Sequence, residues 1–439
     1  MSGYKKVPTS RLSRLASVGG LLAKVTGNVI IDGTKKKLSG QSPTLNSLIL
    51  QPKNIGNLAD KLAELRGAAM KLGQLLSMDA GELLPPELSQ LLEKLRSSGS
   101  AMPHSQLVNT IEEQWGKDWL DKLGYMELRP FAAASIGQVH LGYGLSGEKL
   151  AIKIQYPGVA KAIESDVDNV AVLLKLSGLI PPQIDMEPLL HEAKLQLKNE
   201  ADYQLEASFS KRYQTKINAK YFVIPAVINE LSTNTVLAME HVEGIEIHHT
   251  IHHEEGVRNF IAERLIELFF DELFAFQLMQ TDPNFANYLY QDSSGKIVLL
   301  DFGATREIPE KVSTGYRRLI SACLHKDTKA MIQSAREIGF FNDAISEPYL
   351  NDILAIFQLA TEPLVNDEPY DFAESNLAQR IKDQGLKINK QQNQWHTPPV
   401  DAIFIHRKLA GLYLLANKLK ASVNVRELFE AYFISKENL

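Results

Sequence analysis

The sequence predicts an α+β fold with a small β/α lobe, a larger helical lobe after it and a helical extension before it. Three observations lead to this prediction. Residues 56–97 have helical periodicity almost throughout, short β-rich runs begin near residue 126, and from about residue 257 nearly every segment is helical again except 297–303. Each change of apolar period, from helical to alternating and back, separates two segments of different structure.

These changes predict four consecutive parts of the chain. They are a basic amphipathic N-terminal segment at 1–40, a helical extension at 41–125, a small lobe at 126–243 and a helical lobe at 244–439.

The composition excludes several protein classes. The chain has 439 residues, of which 44% are hydrophobic and 23% charged, as in an ordinary globular protein. One cysteine, Cys323, excludes an internal disulfide and a cysteine-based metal site. The net charge of −5 argues against general nucleic-acid binding. No stretch approaches the ~20 apolar residues of a membrane span, and the most apolar one, 265–279, predicts a buried helix.

The N-terminal segment carries a charge opposite to that of the rest. Residues 1–40 contain eight Lys or Arg and one acidic residue, so their charge is +7 and the remainder carries −12. Apolar residues recur at helical spacing between residues 12 and 25. Three interpretations stay open: a helix in a membrane interface, a helix packed on its own domain, and an acid-poor targeting peptide.

The small lobe begins with a predicted hairpin. The runs SIGQVHLGYG and EKLAIKIQY are separated by the turn at 145–147. Helical periodicity covers 159–215, with 187–213 as one long amphipathic helix. The runs YFVIPAVI at 221–228 and TNTVLAMEHV at 233–242 are then predicted to form a strand pair.

The strongest functional signal is DPNFAN followed by LLDFG. Asp282 and Asn287 have the D-x-x-x-x-N spacing of a kinase catalytic loop, and Asp301 begins the metal-binding triplet. Asn287 and Asp301 would supply hard oxygen ligands for Mg²⁺, and Asp282 would orient the nucleophile as a general base. Since two matched elements occur in the right order, the sequence predicts a kinase-type catalytic loop and metal-binding triplet.

Two upstream features fit the same pattern. Lys153 in AIKIQ matches the third-strand lysine that pairs with nucleotide phosphates. The run before it predicts a nucleotide-binding loop, although alanines stand where the first two glycines belong. This loop comprises Ala132, Ala133, Ala134, Ser135, Gly137 and Val139. Because alanine restricts the backbone where glycine would not, we expect the loop not to cover a triphosphate in the usual way.

Lys153 also requires an acidic partner, and the adenine base requires a hinge. Glu200, Asp202 and Glu206 in NEADYQLEA are the acidic candidates, and we predict Glu200. The hinge is predicted after the strand at 236–239, at Met239, Glu240, His241 and Val242.

Together, AAAS, NEADYQLEA, QTDPNFAN and LLDFGATRE resemble the UbiB (AarF/ADCK) family of atypical kinase-like proteins. Lys71-Leu72-Gly73-Gln74 matches the Lys-x-Gly-Gln motif of that family. The resemblance implies a protein-kinase-like fold whose helical extension packs over the active site, so that Lys71 and Gln74 would occupy the space of a protein substrate. Gln280-Thr281 replaces the usual His-Arg, and no A-P-E motif follows Asp301, so we expect no phosphorylation of proteins in trans.

The resemblance further implies a function in coenzyme Q (ubiquinone) biosynthesis, ATPase activity and peripheral association with a membrane. The cofactors predicted with it are ATP or ADP and Mg²⁺. Its partners would be an anionic or isoprenoid lipid and coenzyme Q biosynthetic enzymes. Two alternatives stay open, a small-molecule or lipid kinase and a nucleotide-sensing pseudokinase scaffold. The short N-terminus favours bacterial cytoplasm facing the inner membrane, with the mitochondrial matrix as the alternative.

Overall fold

The computed structural model describes residues 62, 65–79, 101–177, 186–341, 345–391 and 399–434. The predicted basic segment at 1–40 lies outside the described residues. The chain divides into two compact units. The first holds the described residues up to Ser208 together with Ala226–His241, and the second holds Phe209–Pro225 and the described residues from Val242 onward.

The helices and strands have the following bounds. The helices are α1 Arg66–Asp79, α2 His104–Trp115, α3 Val159–Ser177, α4 Met186–Glu200, α5 Tyr203–Gln214, α6 Glu255–Phe270, α7 Glu310–Leu324, α8 Thr328–Ile338, α9 Glu347–Ala360, α10 Leu377–Gln391, α11 Val400–Lys418 and α12 Val425–Phe429. The strands are β1 Tyr125–Met126, β2 Ala132–Ala133, β3 Gly137–Tyr143, β4 Lys149–Gln155, β5 Phe222–Val223, β6 Val236–Glu240, β7 Ile245–Glu246, β8 Leu278–Gln280, β9 Tyr288–Gln291, β10 Lys296–Leu299, β11 Thr305–Glu307, β12 Tyr370–Asp371 and β13 Ser422–Val423.

A five-stranded antiparallel sheet forms the centre of the first unit. Its order is β1-β3-β4-β6, with β2 also paired to β3. The predicted hairpin of β3 and β4 is confirmed, and Val139 lies opposite Lys153. Ile152 and Ile154 are buried in a core with residues of α2 such as Trp115. Because side chains alternate along a strand, Lys153 points to the other face of β4.

The predicted single helix at 187–213 is two helices. α4 ends at Glu200 and α5 begins at Tyr203. The carboxylate of Asp202 accepts a hydrogen bond from the Leu205 N–H at 3.1 Å, which is an N-cap for α5. Gln155 donates to the Ala201 carbonyl at 2.9 Å and ties this break to the end of β4. Because the apolar periodicity continues through the break, the sequence pattern predicted one helix instead of two.

The predicted strand pair at 221–242 is also wrong in its pairing. β5 belongs to the second unit, where it pairs in parallel with β10, whereas β6 pairs with β4 in the first unit. One isolated bridge, between Val227 and Met239, joins the two runs. Both runs alternate as strands do, but alternation does not specify the partner of a strand.

The second unit is mostly helical, with a four-stranded sheet in the order β5-β10-β9-β7 and two short strand pairs, β8 with β11 and β12 with β13. The predicted helix at 265–279 is buried but ends early. α6 stops at Phe270, a π-helical turn follows over Asp271–Phe276, and the left-handed residue Gln277 (φ 49°) leads into β8. β8, β9 and β11 were not predicted, since each has only three or four residues. None of the helices described is long and apolar enough to cross a bilayer.

Candidate active site

In the first unit, Lys153 has an acidic partner, but the partner is Glu206 rather than the predicted Glu200. The Lys153 ammonium donates to both carboxylate oxygens of Glu206, at 2.8 and 2.9 Å. The Lys153 side chain is 14% exposed and that of Glu206 is 2% exposed. The Tyr203 ring centroid lies 5.0 Å from the same ammonium. Because the helix break starts a new helix at Tyr203, Glu206 and Tyr203 both reach β4.

Glu200 pairs with a different lysine, Lys71. Its carboxylate forms an ion pair with Lys71 of α1 and accepts a hydrogen bond from the Ser135 hydroxyl at 2.9 Å. The Lys71 side chain is 6% exposed and that of Glu200 13%. Glu200 therefore joins the extension helix to the alanine loop, which is the run 132–137. Gln74 lies on α1, and its side chain is outside the described residues.

The alanine loop is short and held by its own backbone. β2 pairs with the start of β3, with Ala132 opposite Val139, and the Ala134 N–H donates to the Gly137 carbonyl at 3.0 Å. Gly137 is required here by close packing, because a Cβ at this position would lie 2.5 Å from the Ile154 carbonyl oxygen. The described loop is therefore a tight antiparallel turn on the edge of β3.

The predicted hinge lies where the first unit ends at His241 and the second resumes at Val242. Met239 and Glu240 complete β6, opposite Ala151 and Leu150. The N–H of Glu240 donates to Ala226 at 2.9 Å, and that of His241 donates to Lys149 at 3.0 Å. Both of these N–H groups already donate hydrogen bonds within the first unit. A nucleotide base would therefore have to hydrogen-bond to other backbone groups of this segment.

In the second unit, the predicted catalytic loop follows β8. The Thr281 N–H and hydroxyl both donate to the Ala304 carbonyl, at 3.1 and 2.7 Å, which ties the loop to the segment after the DFG triplet. The amide nitrogen of Asn287 lies 3.4 Å from Oδ2 of Asp282. The Leu300 N–H donates to the Asn287 carbonyl at 3.0 Å. The backbone thus brings Asp282, Asn287 and the DFG segment together.

The predicted Mg²⁺ ligands have the donor chemistry that this ion requires. The Asn287 nitrogen is turned toward Asp282, so the amide oxygen is the atom that can coordinate a metal. Asp301 follows β10, and its Oδ1 accepts the Gly303 N–H at 2.9 Å, which fixes the carboxylate at the strand end. One amide oxygen and one carboxylate, completed by phosphate and water oxygens, fit Mg²⁺.

Sequence analysis missed Arg407, which contacts the predicted general base. Its guanidinium donates to Oδ1 of Asp282 at 3.0 Å, and the two side chains are 17% and 24% exposed. Arg407 lies on α11, and the same helix approaches the loop closely at Gly411, where a Cβ would lie 2.4 Å from Cβ of Pro283. α11 therefore supports the catalytic loop along its length.

Lys408, the next residue of α11, was also missed and is almost fully buried at 1% exposure. Its ammonium donates to the Gln280 carbonyl at 2.8 Å and to the Tyr288 hydroxyl at 3.1 Å, and it lies 3.2 Å from a Glu272 oxygen. Burial raises the pKa of Glu272 despite this lysine. Burial opposes the charge of Lys408, but Glu272 and Tyr288 outweigh it and raise its pKa. This network fixes Gln280, two residues before Asp282.

A sequence signal for these residues did exist. Arg407 and Lys408 are two adjacent cations inside the apolar helical run IFIHRKLAGLYLL. Since cations are rarely buried without a partner, such a pair indicates buried acceptors.

The residues predicted from the kinase pattern are thus divided between the two units. The first carries the lysine–glutamate pair, and the second carries the predicted catalytic loop and the DFG triplet. The ABC1 atypical kinase-like domain profile matches residues 94–335. Atypical kinase COQ8B, mitochondrial, of Rattus norvegicus is 37% identical over 100% of this chain and 84% of its own. Atypical kinase COQ8, mitochondrial, of Saccharomyces cerevisiae is 34% identical over 98% of this chain and 86% of its own.

The chain therefore belongs to the ABC1 (UbiB) atypical kinase-like family, as the sequence motifs predicted. A solved structure, the complex of Rv3197 with erythromycin from Mycobacterium tuberculosis, has a TM-score of 0.59 and 24% identity, and covers 86% of this chain and 95% of that one. This likeness supports the fold alone. The predicted α+β kinase-like fold class is confirmed.

Proposed function

We propose that the protein is a Mg²⁺- and nucleotide-dependent ATPase of the atypical kinase type that supports coenzyme Q or isoprenoid-lipid metabolism at a membrane surface. The observation that carries the proposal is the catalytic loop, in which Asp282 and Asn287 lie within hydrogen-bonding distance of each other and Asn287 bonds to the backbone next to Asp301. The family membership and the relatives named atypical kinase COQ8 support the same conclusion.

Each residue has a definite part in this proposal. Lys153, held by Glu206, contacts the nucleotide phosphates, and Asn287 and Asp301 hold Mg²⁺, which supplies neutralisation of phosphate charge when bound. Asp282 orients the attacking water. Electrostatic stabilisation of this kind acts best when the charged groups are fixed before the reaction, and the ion pair of Lys153 with Glu206 and that of Asp282 with Arg407 provide such fixing.

The contacts of Asp282 favour hydrolysis over phosphorylation of proteins in trans. One of its carboxylate oxygens accepts from Arg407 and the other lies near the Asn287 amide. A protein hydroxyl must fit beside both donors to reach a remaining lone pair of the carboxylate, whereas a small water molecule needs less space. The buried Lys71–Glu200 pair, which fixes the extension helix to the alanine loop, supports the same proposal.

Two relatives are named mitochondrial, and we propose peripheral association with an inner membrane, on the matrix side of a mitochondrion or the cytoplasmic side of a bacterium.

Phosphate release tests the proposal. We expect Mg²⁺-dependent release of phosphate from ATP that rises when anionic vesicles or quinone-like phenols are added. Asp282→Asn should remove the release, while Asp371→Asn, on a strand outside the predicted site, should leave it intact. A labelled phenol or lipid carrying the γ-phosphate would instead support the alternative of a small-molecule kinase. Nucleotide binding without turnover under all conditions would support the pseudokinase scaffold.

A further inference from the structure

A cluster of two histidines and one glutamate lies on the second unit, apart from the residues assigned above. It consists of Glu246 at the end of β7 and of His248 and His249 in the 3₁₀ turn that follows, Ile247–His252. One ligand atom from each side chain lies within 4.8 Å of the other two. The imidazole ring centroids are 4.1 Å apart.

The backbone that carries the cluster is well anchored. β7 pairs with β9, with Glu246 opposite Leu289. Ile247 and Thr250 are fully buried, and the Thr250 hydroxyl donates to the Ile247 carbonyl at 2.7 Å. Because these contacts fix the backbone of the turn, the three side chains already lie close together. Binding of an ion would not have to order a loop.

One nitrogen of the cluster is buried and lacks a hydrogen-bond partner among the described residues. This atom, Nδ1 of His248, lies 3.4 Å from Oε2 of Glu246. An imidazole nitrogen so placed can offer its lone pair to a metal ion.

We propose that Glu246, His248 and His249 bind a late first-row divalent metal ion of the Zn²⁺ class. Two nitrogens and one oxygen favour Zn²⁺, Ni²⁺ or Cu²⁺ over Mg²⁺, which takes oxygen ligands. Three protein ligands leave a position for water, as in open zinc sites. The His248 ring lies 6.5 Å from the Phe285 ring, so the ion binds beside the loop that carries Asp282 and Asn287. The proposal does not depend on ATP hydrolysis.

Metal titration of the full chain, without an affinity tag and after chelator treatment, tests the site. We expect calorimetry to detect one equivalent of Zn²⁺, and Co²⁺ to give visible absorption bands typical of a site with fewer than six ligands. His248→Asn combined with His249→Asn removes two of the three ligands and should weaken binding by more than the about tenfold that loss of an outer-shell partner costs, and Glu246→Gln should weaken it less. If the double variant does not fold, His249→Ala, at an exposed position, provides the same comparison.

Two controls distinguish this site from other binding. His252→Ala changes a histidine of the same 3₁₀ turn outside the cluster, and Asp301→Asn changes a predicted Mg²⁺ ligand. Both variants should retain the Zn²⁺ equivalent. If the double variant binds Zn²⁺ as tightly as the unchanged protein, or if Asp301→Asn removes the equivalent, the proposal is wrong.

Discussion

Lys153 and Glu206 form an ion pair with two hydrogen bonds, and the lysine ammonium lies 2.8 and 2.9 Å from the two carboxylate oxygens. Glu200, six residues earlier, is bonded to Lys71 and Ser135 instead. The two glutamates of one acidic motif therefore have separate tasks. One holds Lys153, the lysine predicted to bind phosphate, and the other holds the extension helix against the alanine loop.

This division predicts different effects of two matched substitutions. Glu206→Gln should weaken Mg²⁺-ADP binding about tenfold, equivalent to ~1.4 kcal/mol, because Lys153 loses the carboxylate that positions it. Removing one member of a buried pair should also lower the free energy of unfolding by ~3–5 kcal/mol. Glu200→Gln should keep ADP affinity within about twofold. Calorimetry and urea unfolding of both variants measure these effects, and equal losses of affinity would contradict the division.

Arg407 should act as a positioning residue for Asp282. Its charge-assisted hydrogen bond is worth ~1.5–3 kcal/mol, so we expect Arg407→Gln to lower kcat for ATP hydrolysis ~10–100-fold with KM nearly unchanged. Arg407→Lys should recover part of the loss.

The matched control for Arg407 is Arg306→Gln. Arg306 forms an ion pair with Asp401 at 3.3 Å, at exposures of 23% and 24%. The substitution Arg306→Gln removes a comparable ion pair, that with Asp401. If both glutamine variants lose the same activity, Arg407 is merely structural.

Arg407 and Lys408 also show where sequence analysis reaches its limit. The motifs at Lys153, Asp282, Asn287 and Asp301 depend on short spacings and were visible in the sequence. The contact of Arg407 with Asp282 spans 125 residues, and no local pattern specifies such a pairing. The same holds for β5, which alternates correctly but pairs with β10 rather than with a neighbour in sequence.

The identity of the Lys153 partner was missed for a different reason. Whether Glu200 or Glu206 faces β4 depends on the helix break at residues 201–202, where Asp202 caps α5. Three acidic residues in seven positions gave three candidates, and periodicity alone did not select among them.

The alanine loop should limit ATP binding. The Ala134 N–H bonds within the loop at 3.0 Å, and glycine at this position would let the backbone move toward the phosphates. We expect Ala134→Gly to tighten ATP binding relative to ADP and to permit autophosphorylation. Ala133→Gly, in the strand-paired part of the loop, should cost ~0.5–1 kcal/mol of stability without changing nucleotide preference. An unaltered ATP-to-ADP affinity ratio in Ala134→Gly would show that the loop does not select nucleotides.

Residues 1–40, with a charge of +7, should drive reversible binding to anionic vesicles, since each basic residue near such a surface contributes ~1 kcal/mol. Deleting residues 1–30 should leave the protein in the supernatant after vesicle sedimentation. Replacing Lys35, Lys36 and Lys37 by Gln should weaken binding only in part and lower its salt sensitivity, because fewer charges are left for salt to screen. Full binding by the deletion variant would place the membrane contact elsewhere.

If Asn287 and Asp301 hold Mg²⁺ for a nucleotide, the thermal shift with Mg²⁺-ADP depends on the Asp301 carboxylate. A ligand at 100 times its Kd stabilises the native state by ~2.7 kcal/mol, so Mg²⁺-ADP should raise Tm clearly. Asp301→Asn should abolish the Mg²⁺-dependent part of that rise. Asp371→Asn, whose carboxylate accepts a backbone N–H two residues ahead as Asp301 does, should retain it. An unchanged shift in Asp301→Asn would contradict the account, because the metal would then be held by other residues.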